Sequence, residues 1–305
     1  MALYLVIQAG ALLSRIIPRS WRYLAGTAVG DLVYWAWPAK RRILLSNMAT
    51  VLGRPPDDPE VKRLAMKSMR NYCKYLVEFL ALPTMSSQDE VIRSMKITGV
   101  EHLQEALDRG KGIVLASAHF GTIEVGGLRL ADFTDFHAVY DTFHPDYLDR
   151  LIQRKRREKG IELVPANNVR EMLRVLKRGG TLCVLFDRPL DLARGVAVRF
   201  FGRETAVPAG PAVLALKTGA TIVPVYMFRQ PDRSFESLIF PAIQPVDTGD
   251  RDRDTQTIMQ RLVDTMQAVV RDRPDQWYMF RPMWPNESAP FLAGREAATG
   301  DPARG

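Results

Sequence analysis

Short apolar runs that alternate with helical segments are the feature that most constrains the fold of this chain, and they begin after Met95. Residues 112–116 (GIVLA), 181–186 (TLCVLF) and 221–228 (TIVPVYMF) have the length and composition of buried strands. Segments with helical periodicity, such as 122–130, lie between them. Repeated strand–helix units predict an α/β fold in which helices flank a mostly parallel central sheet.

The N-terminal region, residues 1–42, has a different character. Residues 2–13 are nearly all apolar, but a spanning helix needs about 20 such residues, and the basic residues follow this run, whereas a signal peptide has them in front. Residues 23–37 end in aromatic side chains, and Lys40 opens the basic run that comes next. Aromatic beside basic residues are typical of segments at the lipid headgroup boundary. We therefore expect a helical membrane-associating region with its basic residues on the cytoplasmic side. A pair of core helices in a soluble domain and a single tilted spanning helix at the start are the alternatives.

The rest of the chain is predicted to form one α/β domain, residues 43–285, and a loose polar tail, residues 286–305. Two helix starts are marked by capping residues. Asp58 precedes Pro59 at the first position of one predicted helix, and Asn168 is placed to cap another.

Composition narrows the kinds of partner. Hydrophobic residues make up 47% of the chain and charged residues 25%, which allows a large core and argues against disorder of the whole chain. The net charge of +8 indicates an anionic partner, such as nucleic acid, an acidic membrane or a phosphorylated substrate. No nucleic-acid motif accompanies this charge, so no nucleic-acid partner is expected. Cys73 and Cys183 form no CxxC pair, and His102, His137 and His144 have no ligand spacing, so no metal site is expected either.

Residues 116–127 (ASAHFGTIEVGG) are the clearest candidate for chemistry, because they follow an apolar run and open a predicted helix. His119 and Glu124 are five positions apart, and in a continuous helix, at about 100° per residue, their side chains would point about 140° apart. At a strand-to-helix turn the chain folds back and the two can meet. The imidazole is then suited to take a proton from a substrate hydroxyl, the carboxylate to hold the second ring nitrogen, and backbone N–H groups near Gly121 to stabilise an oxyanion. A buried structural histidine beside a surface carboxylate is the alternative.

Two further segments have the positions expected of ligand-binding loops. Asp187 and Arg188 follow an apolar strand, at the edge where open α/β sheets bind ligands, and Arg188 is a candidate for holding a phosphate or a sugar hydroxyl. Gly202, Pro208 and Gly210 are expected to shape a loop and a helix entry whose N–H groups meet an anion. A surface salt bridge and ordinary turn residues are the respective alternatives.

Four sequence blocks carry a resemblance to a known family. They are 119–124 (HFGTIE), 186–189 (FDRP), 200–226 (FFGRETAVPAGPAVLALKTGATIVPVY) and 276–285 (QWYMFRPMWP). Together they resemble the bacterial lysophospholipid acyltransferase superfamily, in the branch of lipid A late acyltransferases and phosphatidylinositol mannoside acyltransferases. The resemblance covers most of the chain, from about residue 41 to the end of the last block.

The resemblance implies roles for individual residues. His119 matches the general base of the family's HxxxxD/E motif, and Glu124 matches its partner. The mannoside branch has a glutamate at the position of Asp187 that serves the histidine, so Asp187 is a second candidate partner.

Substrate-binding roles follow in the same way. Asp141, after the strand that precedes the basic helix, looks more like the mannoside branch than the lipid A enzymes. An Arg-Glu step late in that helix places a binding role on Arg156 or Arg157, with Arg156 preferred.

The function implied is that of an O-acyltransferase at the cytoplasmic face of the cell membrane. It would move a fatty acyl group from acyl-CoA or acyl-carrier protein to a hydroxyl of a membrane glycolipid or lysophospholipid, with no cofactor and in contact with an anionic membrane surface. The alternative is a non-catalytic basic protein that binds anionic membranes. The chain has neither a GxSxG nor a Walker A pattern, which disfavours a serine hydrolase and a nucleotide-binding enzyme.

Overall fold

The structure is a computed structural model, and it describes residues 16–82, 85, 88–141, 146–158, 160–245 and 247–284. The apolar stretch predicted at residues 2–13 and the tail predicted at 286–305 lie outside these residues.

The helices begin and end close to the signals in the sequence. They are α1 (Arg19–Ala36), α2 (Pro38–Leu52), α3 (Pro59–Ala81), α4 (Glu90–Arg93), α5 (Val100–Asp108), α6 (Ile123–Leu130), α7 (Asp146–Arg157), α8 (Val169–Lys177), α9 (Gly210–Thr218), α10 (Arg251–Asp272) and a short 3₁₀ helix, Pro274–Gln276. The Asp58 side chain accepts a hydrogen bond from the N–H of Glu60 (2.8 Å), and Asn168 accepts one from Glu171 (3.2 Å). Both predicted caps are thereby confirmed.

The strands form one large sheet and one small ribbon. They are β1 (Lys96–Thr98), β2 (Ile113–Ser117), β3 (Phe136–Tyr140), β4 (Glu162–Pro165), β5 (Thr181–Leu185), β6 (Val196–Phe200), β7 (Arg203–Val207), β8 (Thr221–Arg229) and β9 (Phe235–Ile239). The seven-stranded sheet has the order β1-β9-β8-β2-β5-β3-β4. From β8 to β4 all neighbouring strands are parallel, so the predicted α/β fold with a mostly parallel sheet is confirmed.

Two features of the strands differ from simple alternation. Strand β9 returns antiparallel to β8, and β1 pairs parallel with β9, so one edge of the sheet runs in the opposite direction. Strand β6 pairs with β7 in a separate antiparallel ribbon. Helix α10 holds this ribbon through Gln260, whose side chain bonds both the N–H and the carbonyl of Arg199.

Helices cover both faces of the sheet, which explains why the central strand β2 is buried at every position and apolar from Ile113 to Ala116. Val114 and Ala116 of β2 contribute to the core beneath α8, α9 and α10. Ile113 and Leu115, which point the other way, belong to the core shared with α5 and α6.

Helices α1 to α3 form a third layer with a small core of their own. Helix α1 lies so close to α3 that a Cβ at Gly30 would come within 2.7 Å of the Arg70 Cα. Arg229 of β8 forms a buried ion pair with Glu78 of α3, and the Tyr23 hydroxyl of α1 donates to the same carboxylate. The layer is therefore bonded to the sheet through a buried polar contact.

The outward face of α1 is apolar. Trp21, Leu24, Leu32 and Trp35 are each more than 60% exposed. At about 100° per residue, these four positions fall within about 80° of one another, opposite the buried face that packs on α3. Among the helices that the structure describes, none combines the length and apolar composition needed to cross a bilayer.

The closing segment, residues 276–284, runs from the 3₁₀ helix back across the molecule. Asn47 of α2 binds it at three points, donating to the carbonyls of Met279 and Arg281 (both 2.9 Å) and accepting from the N–H of Met283 (3.1 Å). A buried amide with three backbone partners holds this irregular chain in one position.

Candidate active site

His119 and Asp187 meet because of the register between two parallel strands. Ser117 at the end of β2 is aligned with Leu185 at the end of β5, and each candidate residue lies two positions further along. Both side chains therefore reach the carboxyl edge of the sheet at the same place, which is where parallel α/β sheets bind ligands.

Three donors converge on the Asp187 carboxylate, which is completely buried. Its Oδ1 lies 2.7 Å from Nδ1 of His119, its Oδ2 accepts the backbone N–H of His119 at 2.9 Å, and the indole N–H of Trp277 donates to the same Oδ2 at 3.2 Å. Burial by itself would raise the pKa of Asp187, but the His119 ring and these hydrogen bonds outweigh it and lower that pKa below its ordinary value. The carboxylate is thus held in its ionised form.

The turn between β2 and α6 requires a glycine. Gly121 has a φ of +55°, and a Cβ there would lie only 1.8 Å from the carbonyl oxygen of Met227. A side chain at this position would therefore push apart the turn that carries His119 and the neighbouring strand β8.

The backbone N–H groups of this turn are engaged elsewhere. Phe120 donates to Ala118, Gly121 to the carbonyl of Gln276 at 2.8 Å, and Thr122 to that of Met227. These three N–H groups hold the turn against its neighbours, and the oxyanion role expected of N–H groups near Gly121 stays a prediction.

Glu124 has a different partner from the one expected. It lies in the first turn of α6, where Arg156 of α7 forms a two-point ion pair with it, with Nε to Oε2 at 3.2 Å. Burial disfavours the charge on Arg156, but Glu124 outweighs this and raises the pKa of Arg156. The contact expected between Glu124 and His119 is replaced by the one between Asp187 and His119, and the guanidinium expected to hold substrate is engaged by Glu124.

The His119 side chain lines a cavity of about 180 Å³. The lining residues are Tyr72, Tyr75, His119, Phe120, Gly121, Ile123, Arg188, Tyr278, Met279, Phe280 and Arg281. Nε2 of His119 has no hydrogen-bond partner in the part of the chain that the structure describes, and the side chain is 29% exposed. The contact at Nδ1 therefore orients the ring, while Nε2 remains accessible to a substrate.

Arg188 lies at this cavity as expected and forms an ion pair with Asp141, so two of the predicted substrate-binding residues are together. Gly202 forms the turn between β6 and β7, while Pro208 and Gly210 lie at the entry to α9. None of these three lines the cavity, and their binding role stays a prediction.

Neither cysteine is a candidate nucleophile. Burial raises the pKa of both thiols, that of Cys183 to about 12, so both stay protonated near neutral pH. Across the described ranges, no group of three or more His, Cys, Asp or Glu side chains is placed to hold a metal ion.

Some residues of the site were not singled out from the sequence. Trp277 and Arg281 belong to the closing aromatic block, which the family resemblance included without assigning a role. Tyr72 and Tyr75 lie on α3, a helix for which the sequence pattern indicated no role in the site. Their convergence depends on the path of the closing segment, for which the sequence has no local signal.

The fold and the site define an enzyme with a histidine–carboxylate pair beside an open pocket. The chain belongs to the bacterial lipid A biosynthesis acyltransferase family, whose sequence model matches residues 1–286, and it is accordingly an acyltransferase. This excludes the alternative of a non-catalytic membrane-binding protein.

Two groups of relatives are similar over most of the chain. A phosphatidylinositol mannoside acyltransferase of Mycolicibacterium smegmatis is 33% identical over 249 residues, 79% of this chain and 78% of its own. One from Mycobacterium tuberculosis strain CDC 1551 / Oshkosh is 32% identical over 253 residues, 79% and 76% of the two chains. A lipid A biosynthesis lauroyltransferase of Escherichia coli K12 is 22% identical over 221 residues, 72% of each chain.

Proposed function

We propose that this acyltransferase moves a fatty acyl group from an acyl-CoA or acyl-carrier-protein thioester to a hydroxyl of a membrane glycolipid resembling phosphatidylinositol mannoside. The observation that carries the proposal is the contact between Asp187 and Nδ1 of His119, which leaves Nε2 facing the cavity. The higher identity to the two mannoside acyltransferases favours such an acceptor, and a lipid A-like acceptor is the second candidate.

The partner of Nδ1 determines which ring nitrogen can act as a base. An ionised carboxylate only accepts hydrogen bonds, so the proton on the neutral ring lies on Nδ1 and points at Asp187. The lone pair is then on Nε2. This is the arrangement needed to take a proton from an alcohol in the cavity.

Acyl transfer from the thioester to the hydroxyl requires no reactant besides these two substrates. Nε2 of His119 accepts the hydroxyl proton while the acceptor oxygen forms a bond to the thioester carbonyl carbon. The carbon–sulfur bond then breaks, the thiolate leaves, and the imidazolium returns the proton to sulfur. Asp187 stabilises the imidazolium between these two steps.

The charge at the mouth of the cavity supports a substrate with a phosphate. Arg188 and Arg281 both line the cavity, and Asp141 neutralises Arg188 only in part, because solvent screens an ion pair between exposed side chains. Guanidinium groups bind phosphate oxygens through two parallel hydrogen bonds. Either the headgroup phosphate of the acceptor or the phosphates of the donor would satisfy them.

The walls of the cavity support an amphiphilic substrate. Tyr72, Tyr75, Tyr278 and Phe280 form a chain of aromatic contacts, with ring centroids 4.7 to 5.8 Å apart for the pairs that Tyr278 and Phe280 make. Aromatic faces bind both apolar chains and the faces of sugars. The cavity is smaller than the roughly 300 Å³ of a typical pocket for a drug-sized ligand, so it fits the reacting end of a long lipid.

The outward face of α1 supports work at a membrane surface. Its exposed Trp21, Leu24, Leu32 and Trp35 are followed by Arg41, which stacks on Trp35 with its guanidinium carbon 5.0 Å from the ring centroid. Apolar and aromatic side chains beside basic ones suit an anionic lipid interface. We propose that this face contacts the cytoplasmic leaflet, where both the donor and the acceptor are accessible.

The test is acyl transfer by the His119→Ala variant. Purified protein is incubated with radiolabelled acyl-CoA, or acyl-carrier protein, and a panel containing phosphatidylinositol mannoside, lysophospholipids and lipid A precursors. We expect transfer by the native protein to a mannoside acceptor, and a loss of roughly 10² or more in the variant, the usual contribution of a general base.

The matched control is His102→Ala, since His102 lies on α5 and does not line the cavity. It is expected to keep full activity. Unchanged transfer by His119→Ala would contradict the mechanism, and transfer to lipid A precursors alone would select the second candidate.

A further inference from the structure

Trp277 is hydrogen-bonded to the candidate catalytic pair, His119 and Asp187, although it is far from both in sequence. It is 90 positions from Asp187, it is completely buried, and its indole N–H points at Oδ2 of that carboxylate at 3.2 Å. An indole has one polar atom, a donor, so its whole hydrogen-bonding capacity goes to Asp187.

The backbone around Trp277 is joined to the turn that carries His119. Trp277 forms a β-bridge with Phe120, the N–H of Tyr278 donates to the carbonyl of His119 at 2.9 Å, and Gly121 donates to Gln276 at 2.8 Å. Adjacent residues of the closing segment, 276–278, thus bind both the backbone around His119 and the carboxylate of Asp187. A shift of either would strain the other.

The indole is itself fixed in place by aromatic neighbours. The ring of Phe200 meets it edge-on with centroids 5.6 Å apart, and Trp284 lies beyond at 6.5 Å. The N–H therefore points at one spot, and hydrogen bonds to a buried charge are worth more than those between neutral groups.

The two oxygens of Asp187 divide their donors unequally. Oδ1 is bonded to Nδ1 of the His119 ring, while Oδ2 accepts two hydrogen bonds, one from the backbone N–H of His119 and one from the Trp277 indole. Removing the indole N–H leaves Oδ2 with one donor, so the orientation of the carboxylate, and with it that of the His119 ring, is restrained less tightly.

We propose that Trp277 is a positioning residue for acyl transfer, which acts by holding the Asp187 carboxylate in the orientation that directs Nε2 of His119 into the cavity. The proposal rests on the proposed function, since it assigns Trp277 a role through the His119–Asp187 pair. The competing explanation is that Trp277 only fills the core.

A matched pair of substitutions separates the two explanations. Trp277→Phe removes the N–H and part of the ring beside Asp187. Trp284→Phe removes an equally buried indole whose N–H donates to a backbone carbonyl, that of Phe200, also at 3.2 Å. Both variants leave a similar gap in the same aromatic cluster, and only the first loses a donor to Asp187.

The measurements are kcat and KM for acyl transfer, together with thermal unfolding. We expect similar losses of thermal stability in both variants, and a fall in kcat of roughly ten- to a hundredfold with little change in KM for Trp277→Phe alone. In an Asp187→Asn background, Trp277→Phe should lower kcat no further, because residues that act through one group are not additive. Equal values of kcat in the two tryptophan variants would overturn the proposal.

A second variant guards against a folding defect. Incorporation of β-(3-benzothienyl)alanine at position 277 keeps the bicyclic shape and replaces the N–H with sulfur, which cannot donate. The same loss of kcat is expected, and full activity would overturn the proposal. If His119→Ala were fully active, the proposed function would fail. If His119→Ala were inactive while the benzothienyl variant kept full kcat, the role of Trp277 alone would fail.

Discussion

Glu124 and Arg156 form an ion pair that joins α6 to α7, with side chains that are 14% and 10% exposed. This contact gives the glutamate of the HxxxxE motif a structural partner on a neighbouring helix. Nδ1 of His119 is instead bonded to Asp187, which follows the end of the strand next to the one that precedes His119. The two acidic candidates therefore have different partners, Arg156 for Glu124 and His119 for Asp187.

Substituting the two acids separately tests this division. Asp187→Asn keeps the shape but removes the charge that orients and stabilises the ring, so kcat should fall by roughly 10² to 10⁴. Glu124→Gln should reduce kcat far less and appear mainly in stability, because it leaves a buried guanidinium without its partner, at a cost of about 3–5 kcal/mol. Steady-state kinetics and urea unfolding of both variants measure these effects. An inactive Glu124→Gln of native stability beside an active Asp187→Asn would reverse the assignment.

The lowered pKa of Asp187 makes a contribution to stability that depends on pH. In the unfolded chain the carboxyl has its ordinary value of 3.8, and in the folded protein its pKa lies below that. The contribution is therefore present above pH of about 3.8 and is lost as the pH falls through the folded value.

Urea unfolding at about pH 5 and about pH 3 measures this contribution. The difference in unfolding free energy between the native protein and Asp187→Asn should shrink at the lower pH. The control is Asp232→Asn, since the pKa of that exposed carboxyl is lowered mainly by Ser234, and exposure keeps its effect small. A difference that grows on acidification would show that folding raises the pKa of Asp187, which contradicts the prediction.

The outward face of α1 can be tested without disturbing the core. A triple variant, Trp21→Gln, Leu24→Gln and Trp35→Gln, should bind vesicles containing anionic phospholipid at least roughly a hundredfold more weakly, because each large apolar side chain contributes about 1.5–3 kcal/mol when buried in lipid. Thermal unfolding should be unchanged, since these side chains are exposed.

The control for the vesicle experiment is a variant with apolar side chains removed elsewhere. Phe133→Gln and Leu192→Gln alter exposed residues away from α1, at 41% and 48% exposure, and should leave vesicle binding unchanged. Equal binding by the triple variant and the control would contradict a membrane contact at this face. Sedimentation with vesicles of defined composition gives the partition coefficients.

The buried ion pair between Glu78 and Arg229 is expected to hold the N-terminal helices against the sheet. Their side chains are 2% and 5% exposed, and Glu78 also accepts from Tyr23 of α1. Glu78→Gln leaves an unpaired buried guanidinium and should lower the free energy of unfolding by about 3–5 kcal/mol. The exposed pair of Glu60 and Arg63 is the control, and Arg63→Ala should produce no measurable change in urea unfolding.

Much of the fold could be predicted because its signals are local. The capping side chains of Asp58 and Asn168 bond N–H groups two and three residues away, and the apolar runs that became β2, β5 and β8 are continuous in sequence. The ribbon of β6 and β7 and the reversed edge formed by β9 and β1 were not predicted. Strand composition does not specify which neighbour a strand pairs with or in which direction.

The sequence by itself determined that this chain forms a parallel α/β sheet with His119 just after a buried strand. The length of that strand, the turn glycine and the start of the next helix all depend on residues close together in the sequence. Only the tertiary structure decided which acid serves the histidine. Glu124 is five positions from His119 and pairs with Arg156. Asp187, 68 positions away, bonds the His119 ring, and Trp277, 158 positions from His119, donates to Asp187. Those contacts follow from the order of strands in the sheet and the path of the closing segment, which depend on how the whole core packs.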